Sequence, residues 1–335
     1  MDRLDAGDGL QHLSSGESPP CRRRLRGWWQ NNAALAALFK ASTAGASGKI
    51  LPAPTTETRD KALIKMKVAA SEFAAFDEAD RACSDCGAPE RVGFLFDYAY
   101  QPIVDVASRT VYGHEALVRG PNGEGAPSVL AQVNDRNRYR FDQACRVKAI
   151  KSAAQLGIRE RISINFLPNA IYKPEICIRT TLEAARVHGF PLERIIFEVT
   201  EGERVEDGPW LAEILREYKR CGLLTAIDDF GAGYAGLTLL AGFQPDLVKL
   251  DMELVRDIDR SHSRQAIVRG LVRICADLGV QVIAEGVETA AERDFLCDAG
   301  IRSMQGYRFA RPVFQGVARV DAAAWPGHAS PLPRP

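Results

Sequence analysis

Polar and ionised side chains recur at the ends of short apolar runs. HEALV carries Glu115 and leads to Arg119, ISINF carries Asn165, and IIFEVTE carries Glu198 and Glu201. TAIDDF ends in Asp228 and Asp229, LVKLD holds Lys249 and Asp251, VIAEGVE holds Glu285 and Glu288, and SMQGY holds Gln305. Many carboxylates gathered at one place with a single lysine are strongly unfavourable without more positive charge. Cations among them are the simplest resolution. The donors are carboxylate and amide oxygens, with no His or Cys at these run ends. Such a set suits Mg²⁺, Mn²⁺ or Ca²⁺ better than zinc or copper. Adjacent strand residues point to opposite faces, but at a strand end the chain can turn both Asp228 and Asp229 inward, so that one bridges two ions. Two divalent ions roughly 3.5–4 Å apart are the usual machinery for in-line attack on a phosphodiester. Lys249 is suited to orient the attacking water or to neutralise transition-state charge. Arg119 is suited to hold a phosphate with its fork of donors. These residues point to a metal-dependent phosphodiester hydrolase or a related barrel lyase.

Something must bring those run ends together. From about residue 92, short apolar strands alternate with helical stretches such as DQACRVKAIKSAAQLG, PEICIRTTLEAARVHG, WLAEILREYKRCG, RQAIVRGLVRICADLG and ETAAERDFLCDAG. Alternation of this kind, with nearly continuous apolar strands, predicts an α/β fold with a buried sheet. Eight strands over roughly 240 residues fit a (β/α)₈ barrel, whose active sites lie at the strand C-termini. RVGFLFDYAYQPIVDV reads as two strands with no helix between, so the expectation is a modified TIM barrel with an extra or antiparallel first strand. DRNRYRFD reads as a solvated helix start, with Arg136 to Arg140 able to rim an anionic pocket. His114 is expected to pack outward, because Glu115 beside it points to the mouth.

The chain has 335 residues, 46% hydrophobic and 26% charged, with 43 basic and 43 acidic side chains. That balance supports a sizeable core and argues against a general electrostatic grip on duplex nucleic acid or anionic membrane. No run of about 18 apolar residues predicts a transmembrane segment, and MDRLDAGDGL lacks the order of a secretory signal. The eight cysteines are mostly scattered singly, which suits a reducing compartment and a cytoplasmic protein. Residues 1–65 hold ten basic and six acidic side chains and are rich in Ser, Gly, Ala, Pro and Thr. They read as a disordered extension, with WWQNNAALAALFKA as a short amphipathic helix. Met66 offers an alternative start. Residues 66–91 read as a short helix and a lead-in carrying the C-x-x-C pair Cys83 and Cys86, and 321–335 as a flexible tail. A zinc site needs four ligands, and with no second pair or His pair nearby these read as two thiols in a loop before the barrel.

The motifs together resemble the EAL-domain phosphodiesterases, which cleave cyclic di-GMP to linear pGpG. The chain shows YQPIVD (100–105), EAL (115–117) within YGHEALVRG, SIN (163–165), FEVTE (197–201), DDFGAGY (228–234), VKLD (248–251), AEGVET (284–289) and QGYRFARP (305–312). The resemblance covers residues 92–320. It implies a first metal held by Glu115, Asn165, Glu198 and Asp228, and a second held by Asp228, Asp229 and Glu285 with Asp251 nearby, each ion Mg²⁺ or Mn²⁺. It implies that Lys249 activates the attacking water and that Glu285, Glu288 and Gln305 surround the substrate and its metals. Arg119 matches the phosphate contact, and Gln101, Leu117 and Pro312 fall where the nucleotide binds. Glu201 matches a glutamate that steadies the loop holding Phe230, Gly231 and Gly233, a loop that couples dimerisation to activity, so a homodimer is implied. Ala232, Ala235 and Gly236 stand where many members have Thr and two Ser, and His114 where Tyr is common. Segment 1–91 is short and poor in core for a sensor domain and no GGDEF signature occurs, so the chain looks like a nearly stand-alone phosphodiesterase, open to a separate sensor or regulatory partner.

Two other readings fit parts of the chain. A non-catalytic cyclic di-GMP receptor or protein-interaction module shares the fold but is expected to have lost a ligand or the lysine, and none is lost here. Gly231, Gly233 and Gly236 form a G-x-G-x-x-G pattern after a strand, the fingerprint of a dinucleotide-binding dehydrogenase. Asp228 and Asp229 would repel its pyrophosphate, and that reading leaves Glu115, Asn165, Glu198 and Glu285 unexplained.

Overall fold

The structure is a computed structural model that describes residues 92–200, 208–233 and 236–326. The expectations for the extension, Met66, Cys83, Cys86 and Glu201 lie outside the described residues, as does the tail from residue 327. Among the described residues, β1 (Asp97–Asp105) and β2 (Thr110–Arg119) form a hairpin. There follow β3 (Arg161–Asn165), β4 (Ile195–Thr200), β5 (Leu224–Phe230), β6 (Leu247–Leu250), β7 (Gln281–Ala284), β8 (Ser303–Gln305) and the short β9 (Val313–Phe314). Strands β2 to β8 pair in parallel in sequence order. β1 is antiparallel to both β2 and β8 and closes the circle between them. The fold is therefore a modified TIM barrel with an antiparallel first strand. The expected second strand ahead of it does not form: Val92–Phe96 is irregular, and one nine-residue strand carries the segment.

The five expected stretches form helices with changes at their ends, and the short helices Ala126–Leu130, Gly236–Gly242 and Met252–Val255 are additional. They are α1 (Ala126–Leu130), α2 (Arg138–Gln155), α3 (Pro174–Cys177), α4 (Arg179–His188), α5 (Gly208–Arg220), α6 (Gly236–Gly242), α7 (Met252–Val255), α8 (His262–Asp277) and α9 (Ala290–Asp298). The stretch expected as one helix over 174–189 breaks at Ile178 into α3 and α4. Helix α9 opens with a capping box, in which Thr289 and Glu292 satisfy each other's backbone N–H groups. DRNRYRFD is only partly solvated, because Asp142 at its end is buried. Within 321–326, Ala322–Ala324 makes a 3₁₀ turn, and Arg293 Nη1 donates to the carbonyls of Ala324 and Trp325.

Strand periodicity explains how the barrel builds its floor. Ile196, Ala226, Leu247 and Ile283 join Ile103 in one buried cluster. Each of the first four stands two positions before Glu198, Asp228, Lys249 or Glu285. Residues two apart share a face of a strand, so the same faces that supply an apolar plug supply polar groups one step nearer the strand C-termini. A larger apolar cluster including Val248, Leu250, Val255, Val268 and Leu296 packs β6 against α7, α8 and α9.

Candidate active site

Lys249, fully buried on β6, is the hub. Its Nζ lies 2.7 Å from Glu285 Oε1, 2.9 Å from Asp228 Oδ1, 3.0 Å from Glu198 Oε2 and 3.6 Å from Glu115 Oε2. One ammonium thus faces four carboxylates from β2, β4, β5 and the end of β7. Burial alone disfavours the Lys249 cation, but Asp228, Glu115, Glu198 and Glu285 outweigh it and raise its pKa well above the ordinary lysine value. The excess of negative charge falls on the acids. Burial pushes Glu198 up to about 8, opposed by Lys249 and aided by Asp228 and Glu115. Burial likewise raises Glu285 well above the carboxylate range despite Lys249. Asp229 rises to about 6, first through burial and then through Asp228 and Asp251.

Asp228 and Asp229 both reach the mouth because β5 bulges where they stand. The β5–β6 register shifts between Ile227 and Phe230, and Asp229 has φ of 52°. A bulge with one left-handed residue re-aims a side chain that regular pleating would send outward. Left-handed backbone is costly for most side chains, but Asp tolerates it better than most. Gly231 follows with φ of 98°, and a Cβ there would lie 2.4 Å from Leu254 Cδ1. Its glycine is required by the turn.

The carboxylates fall into two groups that share Asp228. Glu115, Glu198 and Asp228 each offer an oxygen within 4.8 Å of the others, and so do Asp228, Asp229 and Glu285. The Asn165 amide donates to Glu115 Oε1 at 3.4 Å and Gln305 Nε2 donates to Glu115 Oε2 at 2.8 Å. Among the described residues the buried Gln305 Oε1 accepts no hydrogen bond, and four carboxylates share one ammonium. Under-neutralised, all-oxygen donors of this kind fit hard divalent cations.

The other candidates take peripheral positions. Asp251 caps α7, accepting from the Glu253 N–H at 2.9 Å, and stands outside both close groups. Glu288 is 47% exposed and faces Arg256 at 3.7 Å, so the structure does not bring it to Lys249. Gln101 pairs in register with Glu115 and donates to the Ala310 carbonyl. Leu117 and Pro312 are half-buried, and Arg119 folds back to donate to the Val118 carbonyl at 2.8 Å. Phe230 is buried, and Gly231 and Gly233 are exposed. His114 is buried with Nε2 3.8 Å from Glu160 and takes no part in the carboxylate groups.

Glu292 and Gly306 hold the loops of the mouth in place, and neither is among the site residues expected from the motifs. Glu292 accepts backbone N–H bonds from Asp257, Glu288 and Thr289 at 2.9–3.0 Å, tying the turn after α7 to the loop after β7. Burial would raise its pKa, but those N–H groups outweigh it and hold the carboxyl below its usual value. The Thr289…Glu292 spacing was the available signal. Gly306 follows Gln305, and a Cβ there would sit 2.2 Å from the Val287 carbonyl oxygen. No sequence pattern announces that contact.

The EAL domain family model matches residues 94–312. The chain belongs to the EAL family. It is similar to a standalone versatile EAL protein from Vibrio cholerae O395, solved in its c-di-GMP-bound form. That likeness has 53% identity and a TM-score of 0.68 and covers 70% of this chain and 98% of that one. Klebsiella pneumoniae BlrP1, in a manganese and cyclic di-GMP complex, is 39% identical with a TM-score of 0.64, covering 70% of this chain and 60% of that one. The blue light- and temperature-regulated antirepressor BluF of Escherichia coli K12 is 35% identical over 253 residues, which is 75% of this chain and 61% of BluF. This EAL chain thus spans about three fifths of BluF's length. No helix among the described residues is long and apolar enough to cross a membrane.

Proposed function

We propose that this EAL protein hydrolyses cyclic di-GMP to linear pGpG with two divalent cations, Mg²⁺ or Mn²⁺. The observation that carries the reading is the pair of carboxylate groups sharing Asp228, with Lys249 between them. Glu115, Asn165, Glu198 and Asp228 would hold one ion, and Asp228, Asp229 and Glu285 the other, with Asp251 beside them. When bound, such a pair supplies Lewis-acid activation of water and of the phosphoryl group.

The protein's own groups do the rest. Lys249 stays protonated, and its ammonium orients the attacking water and offsets charge growing on the phosphoryl oxygens. The Asn165 and Gln305 amides fix Glu115 by donating to its two oxygens. Arg119, released from the Val118 carbonyl, would take the scissile phosphate, with Gln101, Leu117 and Pro312 along the nucleotide and Glu288 at the rim. Water gives up a proton and forms a new P–O bond, the P–O3′ bond breaks, and a proton returns to the departing oxygen, so that the net change is addition of one water. The loop of Phe230, Gly231 and Gly233, with Glu201, would link a homodimer to this site. A cytoplasmic location fits the five described cysteines, all buried thiols outside any disulfide.

The likeness to BluF supports a second reading, a cyclic di-GMP receptor that acts through a protein partner without turnover. Parallel assays of wild type, Glu115→Ala and Lys249→Ala separate the two. Hydrolysis by the wild type alone, with all three folded, supports catalysis. Binding without product in the wild type supports the receptor, and full turnover by either variant overturns the assignment of roles.

A further inference from the structure

Behind the mouth lies a second buried charge pair that the chemistry above does not use. Arg146 on α2 is fully buried, with Nε 2.8 Å from Asp142 Oδ2. Its Nη1 donates to the Tyr218 hydroxyl at 2.8 Å. The guanidinium carbon lies 4.7 Å from the ring centroid of Phe197, 5.4 Å from that of Tyr218 and 5.5 Å from that of Phe166. The other oxygen, Asp142 Oδ1, accepts the backbone N–H of Leu167 at 2.9 Å.

Stability alone is a poor reason for this arrangement. Two ions taken fully out of water are often replaceable by apolar side chains at no loss, or with a gain. What the pair touches supplies a better reason. Phe166 and Leu167 are the two residues directly after Asn165, and Phe197 directly precedes Glu198. The Phe166 N–H also donates to the Glu198 carbonyl at 3.0 Å, tying the two strand ends together. A planar guanidinium stacked on three rings and paired to a carboxylate has one geometry, whereas apolar packing there has many.

We propose that Asp142 and Arg146 are positioning residues that lock the ends of β3 and β4, and so fix Asn165 and Glu198 in the first cation group. The inference rests on the proposed cation-binding reading of the mouth for its effect on function. Its structural half stands without it. The test uses the full chain with Asp142→Leu/Arg146→Met, an apolar replacement of the pair. Three readouts are taken: thermal unfolding, amide hydrogen exchange over residues 165–167 and 197–198 in chelator, and Mn²⁺ titration by calorimetry.

The expected result is an unfolding midpoint at or near that of the wild type, at least tenfold faster exchange at those amides, and about tenfold weaker binding at one of two Mn²⁺ sites, the scale of losses seen when supporting partners are removed. Unchanged exchange and unchanged Mn²⁺ affinity in a folded double variant would overturn the proposal. If the double variant does not fold, Tyr218→Phe decides, because it deletes only the hydroxyl that accepts from Arg146. Faster exchange at 165–167 is expected, and wild-type protection there refutes the role. Exchange in chelator needs neither metal nor turnover, so a wild type that fails to hydrolyse cyclic di-GMP refutes the enzyme reading and not this one.

Discussion

Protonation of Glu198 couples stability, pH and metal in a way that can be measured directly. Its pKa moves from 4.5 to about 8 in the folded protein, so without metal the folded form holds this proton more tightly than the unfolded form. The stabilisation is complete below about 4.5 and is lost as pH rises through 8. At about 1.4 kcal/mol per pH unit, that gap corresponds to on the order of 5 kcal/mol, an upper figure because Lys249 and the neighbouring acids titrate with it. A divalent cation reverses the trend, since it competes with the proton and binds the carboxylate. Thermal unfolding from pH 5 to 9, in chelator and in excess Mn²⁺, reads both effects. In chelator the midpoint should fall with pH by several degrees, and in Mn²⁺ it should hold or rise across the same interval. Glu198→Gln should flatten the chelator profile, because the amide cannot ionise. Parallel profiles with and without Mn²⁺, or an unchanged slope in Glu198→Gln, would refute the charge argument.

Lys249→Met removes the cation that lies within 3.6 Å of four carboxylates; turnover should drop at least 10²-fold, and the metal-free protein should lose about 3–5 kcal/mol, read by denaturant unfolding. Asp229→Asn keeps a side chain that tolerates φ of 52° but loses charge, so Mn²⁺ affinity should fall while the unfolding midpoint moves by no more than a few degrees; Asp229→Val should lower both, by about 1–3 kcal/mol in stability. Gly306→Ala forces a Cβ to 2.2 Å from the Val287 oxygen, and denaturant titration should show a loss of several kcal/mol, with turnover falling alongside it. Glu292→Ala leaves three part-buried N–H donors without their acceptor; a cost of about 1–2 kcal/mol is expected, together with faster amide exchange at Glu288 and Thr289.

The barrel was legible because its strands are short, apolar and separated by helical periods, a pattern that survives one-residue errors in boundaries. Its site was legible because period-two faces place Glu198, Asp228, Lys249 and Glu285 above apolar residues two positions earlier. The missing parts are contacts between segments distant in sequence. Nothing in AEGVET tells that Glu288 turns to Arg256, and nothing in QGY tells that Gly306 meets Val287. DRNRYRFD reads as solvated through Asp142 because five of its eight residues are charged. Its burial depends on Leu167 and Arg146, which only the packed barrel brings near it. The break of the 174–189 helix at Ile178 is likewise unmarked by Gly or Pro.

The central claim is that this mouth turns over a cyclic dinucleotide with divalent metal. The most direct measurement incubates the purified full chain with cyclic di-GMP in Mg²⁺, in Mn²⁺ and in chelator, and separates the nucleotides by chromatography. The account predicts pGpG accumulating over many turnovers with either ion and none in chelator. Nucleotide bound with metal present but recovered intact, or product formed equally in chelator, would contradict it.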